Sequence, residues 1–77
     1  MSGPNIPEVL PRFREYHTKH FAWGALHIVL DDGNVDDSSV QHCIEWAVQS
    51  SDAEGEALAR ILLSMSKTQR TKLGRLA

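Results

Sequence analysis

The stretch Phe21-Ala22-Trp23-Gly24-Ala25-Leu26-His27-Ile28-Val29-Leu30-Asp31-Asp32-Gly33-Asn34-Val35-Asp36-Asp37-Ser38-Ser39 decides the fold. Its first half is apolar and its second half is acidic. Leu26, Ile28, Val29 and Leu30 are residue types that suit a strand, and Asp32-Gly33 is a hairpin dipeptide. A hairpin needs a second strand, however, and Asn34 to Ser39 is too polar to pair as one. A lone strand would leave its backbone N–H and C=O groups without partners. Phe21 to Leu30 therefore reads as a short helix, apolar nearly all round and so the central core element. Gly33-Asn34 supplies a left-handed stop.

Downstream, the apolar residues recur at helical spacing. Ser38 to Gln49 places Val40, Cys43, Ile44, Ala47 and Val48 on one stripe, with Trp46 off it. Ser51 to Met65 places Leu58, Ile61, Leu62 and Met65 at i, i+3, i+4 and i+7. Ser38/Gln41, Ser51/Glu54 and Ser66/Gln69 all have capping-box spacing, and Asp36 and Asp37 suit the positive end of a helix dipole. Gly55 falls in a first turn, where glycine costs least. Lys67 to Ala77 is helical by propensity, but it holds few apolar residues and contains Gly74, so fraying is expected.

Upstream, Gly3, Pro4 and Pro7 predict a flexible arm over 1–7. Asn5 and Glu8 also have capping-box spacing, but a helix starting there would carry Pro11 in its second turn, where the ring clashes with the preceding turn. A start at Pro11 avoids that clash, so the helix is expected over Pro11 to His20. Val9, Phe13, Tyr16, His17 and His20 share one face. The fold class is thus all-α: one domain over 1–77, a compact bundle of four to five short helices.

The net charge of −2 conceals a segregation. Residues 21–59 carry eight carboxylates and no Lys or Arg, whereas residues 60–77 carry five bases and no acid. Charge patterning of this kind bears on partners rather than on fold. Two docking surfaces follow. The first is acidic: Asp31, Asp32, Asp36, Asp37, Glu45, Asp52, Glu54 and Glu56, with Trp46 as an aromatic anchor. The second, the alternative, is the basic C-terminal segment, where Lys67, Arg70, Lys72 and Arg75 would contact nucleic-acid phosphates. That segment has no aromatic residue for base stacking. It is also suited to pair with the acidic region of its own chain or of a second copy.

Other chemistries find little footing. An EF-hand count from Asp32 puts Asp37 where glycine belongs and Cys43 where glutamate belongs. His17 and His20 lie three apart, but no second pair of zinc ligands accompanies them. Cys43 lies in an apolar stripe, and no nucleophile–base grouping or phosphate-binding glycine loop is present. No metal, no cofactor and no enzymatic activity are expected. The single cysteine suits a reducing compartment, and the longest apolar run is too short to span a bilayer. A cytoplasmic protein that avoids membranes is expected. A chain of this size has a thin core, which favours a two-fold homodimer.

Two stretches, Trp23-Gly24-Ala25-Leu26-His27-Ile28-Val29-Leu30-Asp31-Asp32-Gly33-Asn34 and Leu62-Leu63-Ser64-Met65-Ser66-Lys67-Thr68-Gln69-Arg70, resemble small proteins of phage and prophage genomes. The resemblance carries no site motif. It implies a context in which proteins of this size act as adaptors or inhibitors that bind a host protein.

Overall fold

Periodicity places the helices correctly in outline, and caps, turns and core contacts set where each begins. The computed structural model describes residues 5–77. The elements are α1 (Ile6–Lys19), a 3-10 turn (Gly24–Leu26) running into α2 (His27–Leu30), α3 (Asp37–Gln49), α4 (Ala53–Leu63) and α5 (Lys67–Leu76). The class is all-α, with no strand among the described residues. α3 and α4 form the most extensive helix pair. The other elements close around them over a core that includes Phe13, Tyr16, Trp23, Leu26, Val40, Leu58, Leu62 and Leu73.

The first helix begins at Ile6 rather than at Pro11. Asn5 is its N-cap residue without a side-chain cap bond, and Pro11 lies inside the helix. The Asn5 carbonyl accepts from both Glu8 and Val9. Ile6, Val9 and Leu10 pack against the core, so apolar burial outweighs the hydrogen bond and ring clearance that Pro11 gives up. Of the arm expected over 1–7, residues 1–4 lie outside the described residues, and Ile6 and Pro7 are helical.

The central segment also differs in detail. Trp23, Ala25, Leu26, Val29 and Leu30 are buried, as a core element requires, but Phe21 is 96% exposed and lies in the turn between α1 and the 3-10 turn. Trp23 takes a left-handed backbone, φ 65°, and Gly24 follows at φ 52°. Two left-handed residues in succession reverse the chain after α1. Burial of the Trp23 indole, stacked on His17 at 3.9 Å, offsets the strain of that conformation in a non-glycine residue. At the other end of the segment, Gly33 is left-handed at φ 77°, the stop that the sequence led one to expect.

The Ser66/Gln69 capping box forms, with the Ser66 hydroxyl accepting from the Gln69 N–H and the Gln69 side chain accepting from the Ser66 N–H. The Ser38/Gln41 and Ser51/Glu54 boxes do not form. α3 starts at Asp37, with Asp36 as N-cap. Ser51 is left-handed at φ 55°. Its N–H reaches the Val48 carbonyl, and the Asp52 N–H reaches that of Ala47. These bonds make the corner a Schellman stop for α3 with serine in glycine's usual place. α4 is capped one residue later, where the Asp52 carboxylate accepts from the Gly55 N–H. α5 runs to Leu76 with Arg70 and Leu73 buried, rather than fraying.

Leu58 and Leu62 are fully buried, whereas Ile61, expected beside them, is only half-buried. Leu62→Ala should therefore destabilise by about 2–5 kcal/mol and Ile61→Ala by clearly less. Urea unfolding of the two variants checks this ordering.

Candidate functional site

The charged residues assigned above to two opposing surfaces meet each other in the fold. Lys67, the first residue of α5, holds the Asp36 carboxylate at 2.9 Å. That hydrogen bond, and then the ammonium charge, keep the Asp36 carboxyl below the usual carboxylate range. Arg70 lies one turn further on and is 2% exposed. Its Nε donates to the Leu62 carbonyl at 2.7 Å, one Nη to Val35 at 2.5 Å and the other to Leu63 at 3.2 Å. The last Nη also pairs with Asp37 at 2.8 Å. The carbonyls of a helix's last turn have no intrahelical donor. One planar guanidinium, with donors in a fixed fork, serves two of those on α4 and ties the acidic loop to the same corner.

Other acids are also engaged. Glu56 receives Arg60 at 2.9 Å within α4, and Glu54 faces Arg12 of α1 at 3.6 Å. Asp52 is half-buried and takes no cation among the described residues; it accepts from the Tyr16 hydroxyl at 2.5 Å and from the Gly55 N–H at 3.0 Å. Of the residues assigned to the acidic surface, Asp31, Asp32 and Glu45 are exposed and unpaired among the described residues. Lys72 and Arg75, on the basic segment, are exposed and border an open concavity with Thr68 and Thr71.

Trp46 is 43% exposed. It divides two concavities. One is shared with His42, Glu45 and Gln49; the other, of about 410 Å³, is lined by His20, Gly24, Ala25, Ser50, Ser51 and Asp52. His27 of α2 meets the indole edge to face at 5.6 Å and fixes it from the side. Sequence reasoning picked Trp46 and Asp52 but missed the second concavity. Its walls come from three places in the chain, and Tyr16 bonds two of the residues that line it, Ala25 and Asp52. The Tyr16 hydroxyl also accepts from the Ala25 N–H at 3.2 Å, and a Cβ at either Gly24 or Gly55 would run into that hydroxyl. The two glycines are what allow the turn and α4 to close on the same phenol. The sequence signal available for this was the occurrence of both glycines beside core segments, which does not reveal that they face one another.

The histidines are occupied by packing: His17 stacks on Trp23, and His20 stacks on Tyr16 at 4.2 Å. Cys43 is fully buried, and desolvation pushes its thiol up to about 11, which withholds the thiolate that nucleophilic chemistry needs. Among the described residues no three His, Cys, Asp or Glu side chains converge as a metal site, and no helix is long and apolar enough to cross a membrane. Comparison of the chain with known protein families, curated proteins and solved structures finds no match.

Two expectations follow. Arg70→Ala should cost about 2–4 kcal/mol, because it removes a buried guanidinium and takes the side-chain donor from the part-buried Val35 and Leu63 carbonyls, while Leu62 keeps the Met65 N–H. Lys72→Ala should be close to neutral, and thermal melts of both variants decide this. The second expectation concerns alkali. Burial, followed by the bond to Asp52, raises the Tyr16 hydroxyl above its ordinary 10.0, and Cys43 rises from 9.0 to about 11. Both groups ionise more readily in the unfolded chain, so stability should fall as pH climbs above 9 for Cys43 and above 10 for Tyr16. Urea unfolding across this range should show the loss, with Cys43→Ala flattening its first part and Tyr16→Phe its second.

Proposed function

We propose that the protein is a non-enzymatic protein-binding module, an inhibitor or adaptor, that docks an acidic face centred on Trp46 onto a basic, nucleic-acid-binding site of a partner protein. One observation carries this reading: Trp46 stands half-exposed between two concavities with the unpaired Glu45 beside it. Indoles that are rigidly held yet accessible are the residues around which interfaces build their affinity. Asp31 lies one turn beyond His27, the residue that touches Trp46, so the charge of Asp31 and Asp32 continues the same region. The fold already spends Asp36, Asp37, Glu54 and Glu56 on its own cations. The docking charge is therefore assigned to Asp31, Asp32 and Glu45, with Asp52 in the concavity. Nucleic-acid binding through α5 is the weaker reading, because Lys67 and Arg70 already hold carboxylates.

The test is a comparison of charge variants. Tagged protein is used to capture its partner from a lysate, and association with the purified partner is then timed at several salt concentrations. Asp31→Asn, Asp32→Asn and Glu45→Gln together should slow association by roughly tenfold and flatten its salt dependence. Trp46→Ala should speed dissociation. Lys72→Glu with Arg75→Glu should leave both rates unchanged. Loss of binding on the tail reversal, with the acid variants silent and salt-dependent binding to random duplex DNA, would transfer the function to α5.

A further inference from the structure

The 410 Å³ concavity beside Trp46 has the components of a receptor for one organic cation. Its volume lies within the range of small-molecule sites. Its wall is the Trp46 indole. At its edge is Asp52, a half-buried carboxylate that receives two hydrogen bonds from neutral donors and no cation among the described residues. A carboxylate has about four lone-pair directions, so about two stay open. The corner Ser50-Ser51 adds hydroxyl groups and the C-terminal, partially negative end of α3. The carboxylate, the indole face and the end of α3 favour positive charge, against the N-terminus of α4 that Asp52 caps and the His20 imidazole on the wall. No Lys or Arg lines this concavity.

We infer that this concavity receives the guanidinium of an arginine side chain presented by the basic partner, held by Asp52 and stacked along Trp46. Arginine is favoured over lysine for two reasons. Its planar head sheds water more readily and stacks on an indole, and its parallel N–H groups match a carboxylate with two free positions. The carboxylate is oriented before the ligand arrives. Tyr16 fixes one Asp52 oxygen, Gly55 fixes the other, and His27 holds the indole. Such preorganisation reduces the entropy lost on binding. The inference rests on the docking reading above for its biological ligand, but the pocket itself is testable without any partner.

The experiment is a titration of the full chain, ¹⁵N-labelled, with N-acetyl-arginine amide, followed by amide and indole NMR shifts. The expected result is saturable shifts at Gly24, Ala25, Ser50 and Ser51 and at the Trp46 indole N–H, with a Kd on the order of millimolar for so small a ligand. N-acetyl-lysine amide should bind several-fold more weakly, and N-acetyl-glutamine amide should leave these signals in place. Asp52→Asn, which retains the helix cap, should weaken arginine binding at least about fivefold, the loss expected when a charged hydrogen bond is reduced to a neutral one. Trp46→Ala, at an exposed position, should weaken it independently and carries the test if Asp52→Asn does not fold. Three outcomes overturn the inference: shifts confined to Asp31, Asp32 and Glu45 with the concavity silent, equal binding of lysine, or affinity unchanged by both substitutions. A pocket that binds arginine while the Asp31, Asp32 and Glu45 variants still associate normally rejects the docking reading alone. Normal loss of partner binding in those variants with a silent pocket rejects this inference alone.

Discussion

Arg70 is the residue on which the rest of the fold depends. Its guanidinium is buried at the corner where α4 ends, α5 begins and the loop before α3 passes. Without it, the terminal carbonyls of α4 and the carbonyl of Val35 would face a poorly hydrated interior with fewer donors. A chain of 77 residues has little apolar area with which to absorb such a cost. The guanidinium serves these groups at once and keeps a counter-charge in Asp37 at the more exposed side of the corner. The exposed pair Lys67–Asp36 lies on the same seam and adds little energy in water.

A second polar node holds the other end of α4. The Tyr16 phenol is packed against the turn at Gly24 and the first turn of α4 at Gly55, and each approach is possible only because no Cβ intervenes. The hydroxyl donates to Asp52 and accepts from Ala25, so a single buried side chain sets the distance between α1, the turn and α4. The carboxylate it holds also caps α4. This node shapes the concavity beside Trp46 and orients the one acid in it. The fold and the candidate site therefore share their rigid parts.

The segregated charge was legible in the sequence, but its use was not. Composition shows eight acids followed by five bases, and such a pattern suits an outward-facing surface and an internal clasp equally well. Asp36, Asp37 and Asp31 are chemically alike and neighbours in the chain, yet two of them face cations of α5 and one faces solvent. Trp23 and Trp46 are the same residue type. One is sealed in the core by a left-handed turn and a stacked histidine, and the other remains accessible. Burial depends on what packs opposite a residue, and spacing along one helix does not carry that information.

By itself the sequence determined the all-α class, most of the core faces of α3 and α4, the left-handed stop at Gly33 and the capping box at Ser66, since each depends on residues within a turn or two of one another. Val48, expected on the α3 stripe, is 54% exposed, and Ile61 of α4 is half-buried. The start of α4 moved for a local reason, a Schellman stop with serine in the left-handed place, which shifts the cap to Asp52. The start of α1 was decided by tertiary contacts: burial of Ile6, Val9 and Leu10 carries it through Pro11. Arg70's burial and the Tyr16–Asp52 node are long-range facts of the same kind, joining positions 35 and 36 residues apart. Local pattern fixes periodicity and caps because their energies are local. Which charge is spent inside and which is left for a partner depends on groups brought together only when the chain closes.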